Sequence, residues 1–171
     1  LAARAEETTL QEPAGALVDA LSRLARLAER LLALARADGA QALADEWVDL
    51  AQVIRLTVDE FSHSPRLRGR SIIAQAAPVR VRGDLDAIGL ALRNLVENAL
   101  VHGAGGSFIR VTCAGTREAV SLAVIDDGPG VAPAALPSLT KRFARGAGAA
   151  QSGAGLGLSI AKAFCELHGG R

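Results

Sequence analysis

Aromatic residues are nearly missing from this 171-residue chain, at 3% of positions, so any core must be assembled from Leu, Val, Ile and Ala. Cysteine occurs only twice, at Cys113 and Cys165, far apart and without metal-ligand spacing. That usage fits a reducing compartment. Neither sign of charge dominates: 19 basic and 18 acidic residues leave a net +1, so nothing in the balance demands a nucleic acid or an anionic membrane as partner. The longest apolar runs fall far short of a bilayer span, and no signal-peptide pattern opens the chain. Its first residues, LAARAEETTL, read as the tail of a helix already under way, so a piece of a longer protein is expected.

Apolar residues make up 50% of the sequence, enough for one full domain, or one domain with a helical appendage. From Ala14 to Ala37 the apolar positions Leu17, Leu21, Leu24, Ala28, Leu31 and Ala35 alternate in steps of four and three. This is a heptad-like stripe, with Arg23, Arg26, Glu29, Arg30 and Arg36 mostly elsewhere. Gln11 to Gly15 separates it from the preceding helical tail, giving two helices joined by a short loop. Spacing alone leaves two readings open, a helix packed on its own domain and a dimerising hairpin. Ala37-Asp38-Gly39-Ala40 ends the stripe.

A second helix is expected from about Glu46 to Phe61, with Val48, Leu50, Ala51, Ile54 and Val58 on its buried side. The segment SIIAQAAPVRVR gives two short strands around Ala77-Pro78. Asp84 then suits the N-cap of a long helix reaching His102, carrying Ile88, Leu92, Leu95, Val96 and Ala99. Phe108–Cys113 and Val120–Ile125 read as a hairpin, and a last helix runs from about Leu156 to His168. Helices and strands alternate without a strict βαβ rhythm, which predicts an α+β fold, a mixed sheet with helices on one face.

Three polar clusters carry the chemistry. On the long helix, RNLVENALVHG puts Asn94, Asn98 and His102 at successive i, i+4 positions, on one face. Asn is a mediocre helix former, so two on one stripe need a reason. A polar helix end would be one; another is that carboxamides suit a Mg²⁺ shell completed by phosphates and water. Glu97, one step off that face, could polarise a water or pair with Arg93, and the pairing is favoured. The second cluster is VIDDGPGV, where a strand-like apolar run ends in two carboxylates and a Gly-Pro-Gly. It reads as a turn, or as a binding loop whose glycines admit a ligand close to the backbone. The third is Gly153-Ala154-Gly155-Leu156-Gly157-Leu158, opening into a helix whose N-terminal amides could cradle phosphate. It lacks the Lys of a P-loop and follows no strand, which disfavours the two familiar Gly-rich nucleotide folds.

In this order, the clusters resemble the ATP-binding domain of sensor histidine kinases, within the superfamily shared with type II topoisomerases, heat-shock chaperones and mismatch-repair ATPases. LRNLVENALVHG resembles the N box, VIDDGPGV the G1 box, LTKRFARG the F box and GAGLGLSIAKAFCELHGG the G2 box, over about Arg70 to Arg171. The resemblance implies a two-layer α/β sandwich of the Bergerat type at 41–171, preceded at 1–40 by part of a dimerisation and phosphotransfer hairpin. It thus resolves the heptad stripe toward dimerisation.

The roles it implies are positional. Asp126, as a buried carboxylate, would accept a hydrogen bond from the adenine amino group, with Gly128 and Gly130 letting the loop pass under the base. Asn98 would hold Mg²⁺ bridging the phosphates, with Asn94 assisting and His102 in the same box. Gly153, Gly155, Leu156, Gly157 and Leu158 would cradle phosphates. Residues 132–153 would form a mobile ATP lid, docked by Phe143, with Arg145 available to a phosphate. Asp127, at a position the motif leaves free, is expected to be a solvated neighbour.

The sequence also departs from the family pattern. Val101 stands where Lys or Arg is common, Lys141 where an acidic residue is common, and the family's usual strand pair after His-Gly-Gly is expected to be lacking from 41–171. The phosphoacceptor motif, His followed by Glu/Asp-Leu-Arg-x-Pro, is absent, and His63, His102 and His168 do not replace it. The expected activity is transfer of the γ-phosphoryl of Mg·ATP to a histidine outside this chain, for relay to an aspartate of a response-regulator receiver domain. This chain alone is expected to bind ATP without autophosphorylating. The expected setting is a cytoplasmic homodimer, joined through the N-terminal helices and reaching a membrane only through segments outside this chain. Two alternatives are a non-catalytic adenine-nucleotide sensor and an ATP-hydrolysing relative in which Glu97 activates water.

Overall fold

A computed structural model describes residues 44–116, 118–141 and 155–170. The expected hairpin at 1–40 and the lid residues Phe143, Arg145 and Gly153 lie outside the described residues.

The first described element corrects the expected helix from Glu46. Residues Glu46–Asp49 form a strand, β1, and helix α1 begins only at Leu50, running Leu50–Ser62. Two local forces place that break. Trp47 and Val48 favour extended backbone, and they find a partner in strand β3, Arg80–Gly83, with Trp47 opposite Arg82 and Val48 opposite Val81. The exposed Trp47 ring lies 5.9 and 5.7 Å from the guanidinium carbons of Arg80 and Arg82, within cation–π range. Asp49 then stays extended and its carboxylate accepts from the Gln52 N–H at 3.1 Å, capping α1.

The SIIAQA half of the next segment is strand β2, Ser71–Ala76, and Pro78 separates it from β3. The two strands enter different sheets. β2 runs parallel to β4, Phe108–Gly115, and β4 is antiparallel to β5, Val120–Asp126. The resulting order β2-β4-β5 is a mixed sheet, with β1-β3 as a separate antiparallel pair. Between β3 and β4 lies helix α2, Leu85–His102, capped as expected by Asp84, whose carboxylate accepts from Ala87 N–H at 2.9 Å. The last helix, α3, spans Gly157–Leu167.

Alternation along β4 sends Ile109, Val111 and Cys113 to one face, where they meet Ile54 of α1 and Leu92, Val96 and Leu100 of α2. Ile54, Leu92, Val96, Ile109 and Val111 are fully enclosed. Truncating Leu92 or Ile109 to Ala would cost about 2–5 kcal/mol. A second, smaller cluster joins the two helices that carry the Asn and Gly motifs: Leu156, Ile160 and Phe164 pack on Ala87 with Leu90 and Ala91. Among the described residues no helix is long and apolar enough to cross a membrane.

Candidate functional site

Helix α2 is the spine of the site. Asn94, Asn98 and His102 follow one another along it, from buried through half-buried to exposed. Asn94 and His102 are just over two turns apart, about 12 Å along the axis. Asn94, 3% exposed, donates from Nδ2 to Leu90 O at 2.9 Å. Its Oδ1 faces the start of α3, where a Cβ on Gly157 would lie 3.3 Å away. The glycine at that position is therefore what lets the Gly-rich turn seat against the buried amide. Leu156, 1% exposed, anchors the turn from below, and Gly155 takes a left-handed φ of +67°. Among the described residues no side chain caps the N-terminus of α3, whose first amides carry the positive end of the helix.

The C-terminal end of α2 meets the Asp-Gly-Pro-Gly loop. Asp126 is the last residue of β5 and pairs with the fully buried Ile109, so its side chain lies on the helix-covered face of the sheet. There α2 has just ended at Gly103. A Cβ on Gly103 would lie 2.9 Å from Asp126 Oδ1, and one on Gly128 would lie 2.5 Å from Gly103 Cα. Backbone thus packs directly on backbone, and the carboxylate closes the gap by accepting from the Gly128 N–H at 3.0 Å. Gly130 supplies a left-handed φ of +73° further along the loop. The expected burial of Asp126 is not seen: the residue is exposed, although its strand partner Ile109 is fully buried.

Asp127 is the larger correction. Far from being only solvated, it accepts from Ser107 N–H at 2.7 and 2.9 Å, Ser107 Oγ–H at 2.6 Å and Phe108 N–H at 2.9 Å. These bonds, the one from Phe108 foremost, hold its pKa down at about 2. A Cβ on Gly106 would collide with the same carboxylate. The loop is therefore pinned to the start of β4. No local pattern announces this contact, since its partners lie 19 and 20 residues away.

Glu97 is half-buried on the flank of α2. Arg93, its expected partner, reaches Glu60 of α1 at 2.6 Å, because α1 lies alongside that face. Val101 is half-buried beside His102. Among the described residues no cluster of three or more His, Cys, Asp or Glu could hold a metal ion. The candidate ligands on α2 are instead the neutral carboxamide oxygens of Asn94 and Asn98. They fit a Mg²⁺ that arrives with phosphate oxygens and water, and would not hold a bare cation.

The sequence-predicted residues are thus strung along the C-terminal half of one helix. Asn94, at mid-helix, meets Gly157 of the Gly-rich turn, the loop of Asp126, Gly128 and Gly130 lies past the C-terminal end at Gly103, and Asn98 lies between them along α2.

Comparisons with known proteins give the family. Residues 83–171 match the family described as histidine kinase-, DNA gyrase B-, and HSP90-like ATPase. The sensor protein QseC of Salmonella typhi is 34% identical over 161 residues, covering 87% of this chain and 33% of that protein. The probable sensor histidine kinase TcrY of Mycobacterium tuberculosis is 37% identical over 156 residues, covering 86% and 32%. Among solved structures, the mycobacterial sensor histidine kinase MprB superposes with a TM-score of 0.63 at 28% identity, covering 73% of this chain and 80% of that one. Full-length ShkA in complex with AMPPNP superposes with a TM-score of 0.68 at 27% identity, covering 84% and 31%. The chain spans about a third of the length of the curated relatives it matches. With residues 83–171 matching that family's model and the α+β architecture in place, the chain belongs to the family of histidine kinase-, DNA gyrase B- and HSP90-like ATPases.

Proposed function

We propose that this chain is the ATP-binding kinase module of a two-component sensor histidine kinase. The observation that carries the proposal is the two-ended site on α2. One end offers a carboxylate framed by glycine backbone; the other offers a helix start that no described side chain caps, with Gly157 seated on Asn94. Such a site has the polarity of a nucleotide, with a donor-bearing base at Asp126 and an anionic tail at residues 155–158. The Asp126 carboxylate accepts hydrogen bonds and cannot donate them, so it favours the amino edge of adenine over the carbonyl edge of guanine. Asn98, with Asn94 behind it, would hold the Mg²⁺ that travels with the phosphates, and the ion would neutralise charge on the transferring group. Phosphoryl transfer asks chiefly for positioning and charge neutralisation, and the residues of α2 and of the Gly-rich turn are suited to both.

In the whole protein the γ-phosphoryl would pass to a histidine outside this chain, then to an aspartate of a response-regulator receiver domain. Homodimerisation through the N-terminal helices and a cytoplasmic location belong to the same proposal. The relatives named as sensor proteins support it.

Calorimetry tests the central point. The chain should bind ATP, and Asp126→Asn should weaken that binding by about 1–3 kcal/mol, through loss of a charged hydrogen bond and a clash of donors. Unchanged ATP affinity in the variant overturns the adenine assignment. Incubation with labelled ATP should leave no acid-labile phosphohistidine on this polypeptide.

A further inference from the structure

We infer that Arg70 is a positioning residue for base recognition, setting the place of Asp126 from behind the site. Arg70 precedes β2 and is half-buried. All five of its guanidinium N–H groups are used, every one on a backbone carbonyl. Nε donates to Leu67 O at 3.1 Å, Nη1 to Ala99 O at 3.1 Å and Gly103 O at 3.0 Å, and Nη2 to Leu100 O at 2.6 Å and Arg66 O at 3.1 Å. Three of those acceptors are the last carbonyls of α2 and the residue that caps it. A cation there also complements the negative end of the helix.

Helix capping alone would make Arg70 a stability residue. What extends its role is the identity of the last acceptor. Gly103 O is shared by Arg70 Nη1 and by Gly106 N–H at 3.2 Å, so the guanidinium fixes the peptide from which the chain turns toward β4. Gly103 is also the surface on which the Asp-Gly loop rests. Its Cα lies 2.5 Å from where a Gly128 Cβ would be, and Asp126 Oδ1 lies 2.9 Å from where a Gly103 Cβ would be. No side chain intervenes to absorb a displacement. Any movement of the Gly103 peptide is passed on to the Asp126 carboxylate, whose hydrogen bond to the base depends on a few tenths of an ångström.

This inference rests on the reading of Asp126 as the adenine acceptor, and the test separates the two. The probe is the ratio of affinities for ATP and inosine triphosphate, which carries a carbonyl in place of the amino group. Both are measured by calorimetry on the folded fraction. Wild type should favour ATP; a wild-type ratio near one sinks the adenine reading itself, whatever Arg70 does. In Arg70→Lys an ammonium with three donors replaces five in a planar fork. It should bring the ratio down about tenfold, while inosine triphosphate affinity, carried by the phosphates, changes by less than about twofold. A purely structural role would lower the binding-competent fraction and leave the ratio intact. Gly103→Ala, which keeps Arg70 but inserts a methyl between it and Asp126, should reproduce the loss. Wild-type discrimination retained in either folded variant overturns the inference.

Discussion

Asp127 ties the loop that carries Asp126 to the start of β4, and it does so as an anion. Its three donors, two backbone amides and a hydroxyl, all face the ionised carboxylate, which is why its pKa falls to about 2 from an ordinary value near 3.9. A pKa depressed in the folded state means that the unfolded chain binds the proton more readily. The stabilisation is therefore complete above about pH 5 and is lost as pH falls through the window from about 4 to 2. Asp127→Asn should lower stability at neutral pH and flatten the acid limb. Urea denaturation midpoints followed from pH 7 to pH 2.5 would show the two proteins converging as pH drops; parallel curves would remove Asp127 from the account. Gly106 gives a second check at the same place. Gly106→Ala should destabilise the fold, because its Cβ meets the Asp127 carboxylate and backbone rather than the end of a flexible side chain.

Among the elements, α3 is held onto α2 at both ends. At its start, Leu156 packs with Ala87, Leu90 and Ala91, and Gly157 seats against Asn94. At its end, the His168 ring bridges the helices: Nδ1 lies 2.7 Å from Phe164 O, and Nε2 accepts from the Asp84 N–H at 3.0 Å. A carbonyl can only accept and an amide can only donate, so this geometry requires the neutral ring with its proton on Nδ1. Gly83 leaves room for it, since a Cβ there would come within 2.6 Å of the ring. His168→Ala should cost about 1–3 kcal/mol by stranding the partly buried Asp84 amide, measurable by chemical denaturation. Retained stability would mean water replaces the ring freely. The elements also mark what could be read in the sequence. Helix α2 was legible end to end, because its cap at Asp84, its apolar stripe and its Asn positions are all local. Strand β1 was not, because four residues from Glu46 to Asp49 look like the first turn of α1 until β3 is there to pair with them. The motif residues of the candidate site were proposed from type and order alone. Arg70, Gly103 and Asp127, which position them, act across 19 to 33 residues of sequence, and no spacing rule reaches that far.

At the scale of the molecule, the site is assembled from segments distant in sequence that share α2 as their common support, so ligand binding should stabilise the fold as a whole. A ligand that binds only the native state at a hundred times its Kd adds about 2.7 kcal/mol, on the order of 10 °C in Tm for a domain of this size. Mg·ATP is expected to produce a shift of that order in this chain. The two-ended layout makes a stronger demand than the shift itself. Asn98→Ala should remove the part of the shift that depends on Mg²⁺, seen as the difference between magnesium and EDTA, while leaving the shift given by adenosine. Asp126→Asn should do the reverse, reducing the adenosine shift while preserving the magnesium-dependent increment. If either substitution reduced both parts equally, the base and phosphate ends would not be separate, and the polarity assigned to the site along α2 would be wrong.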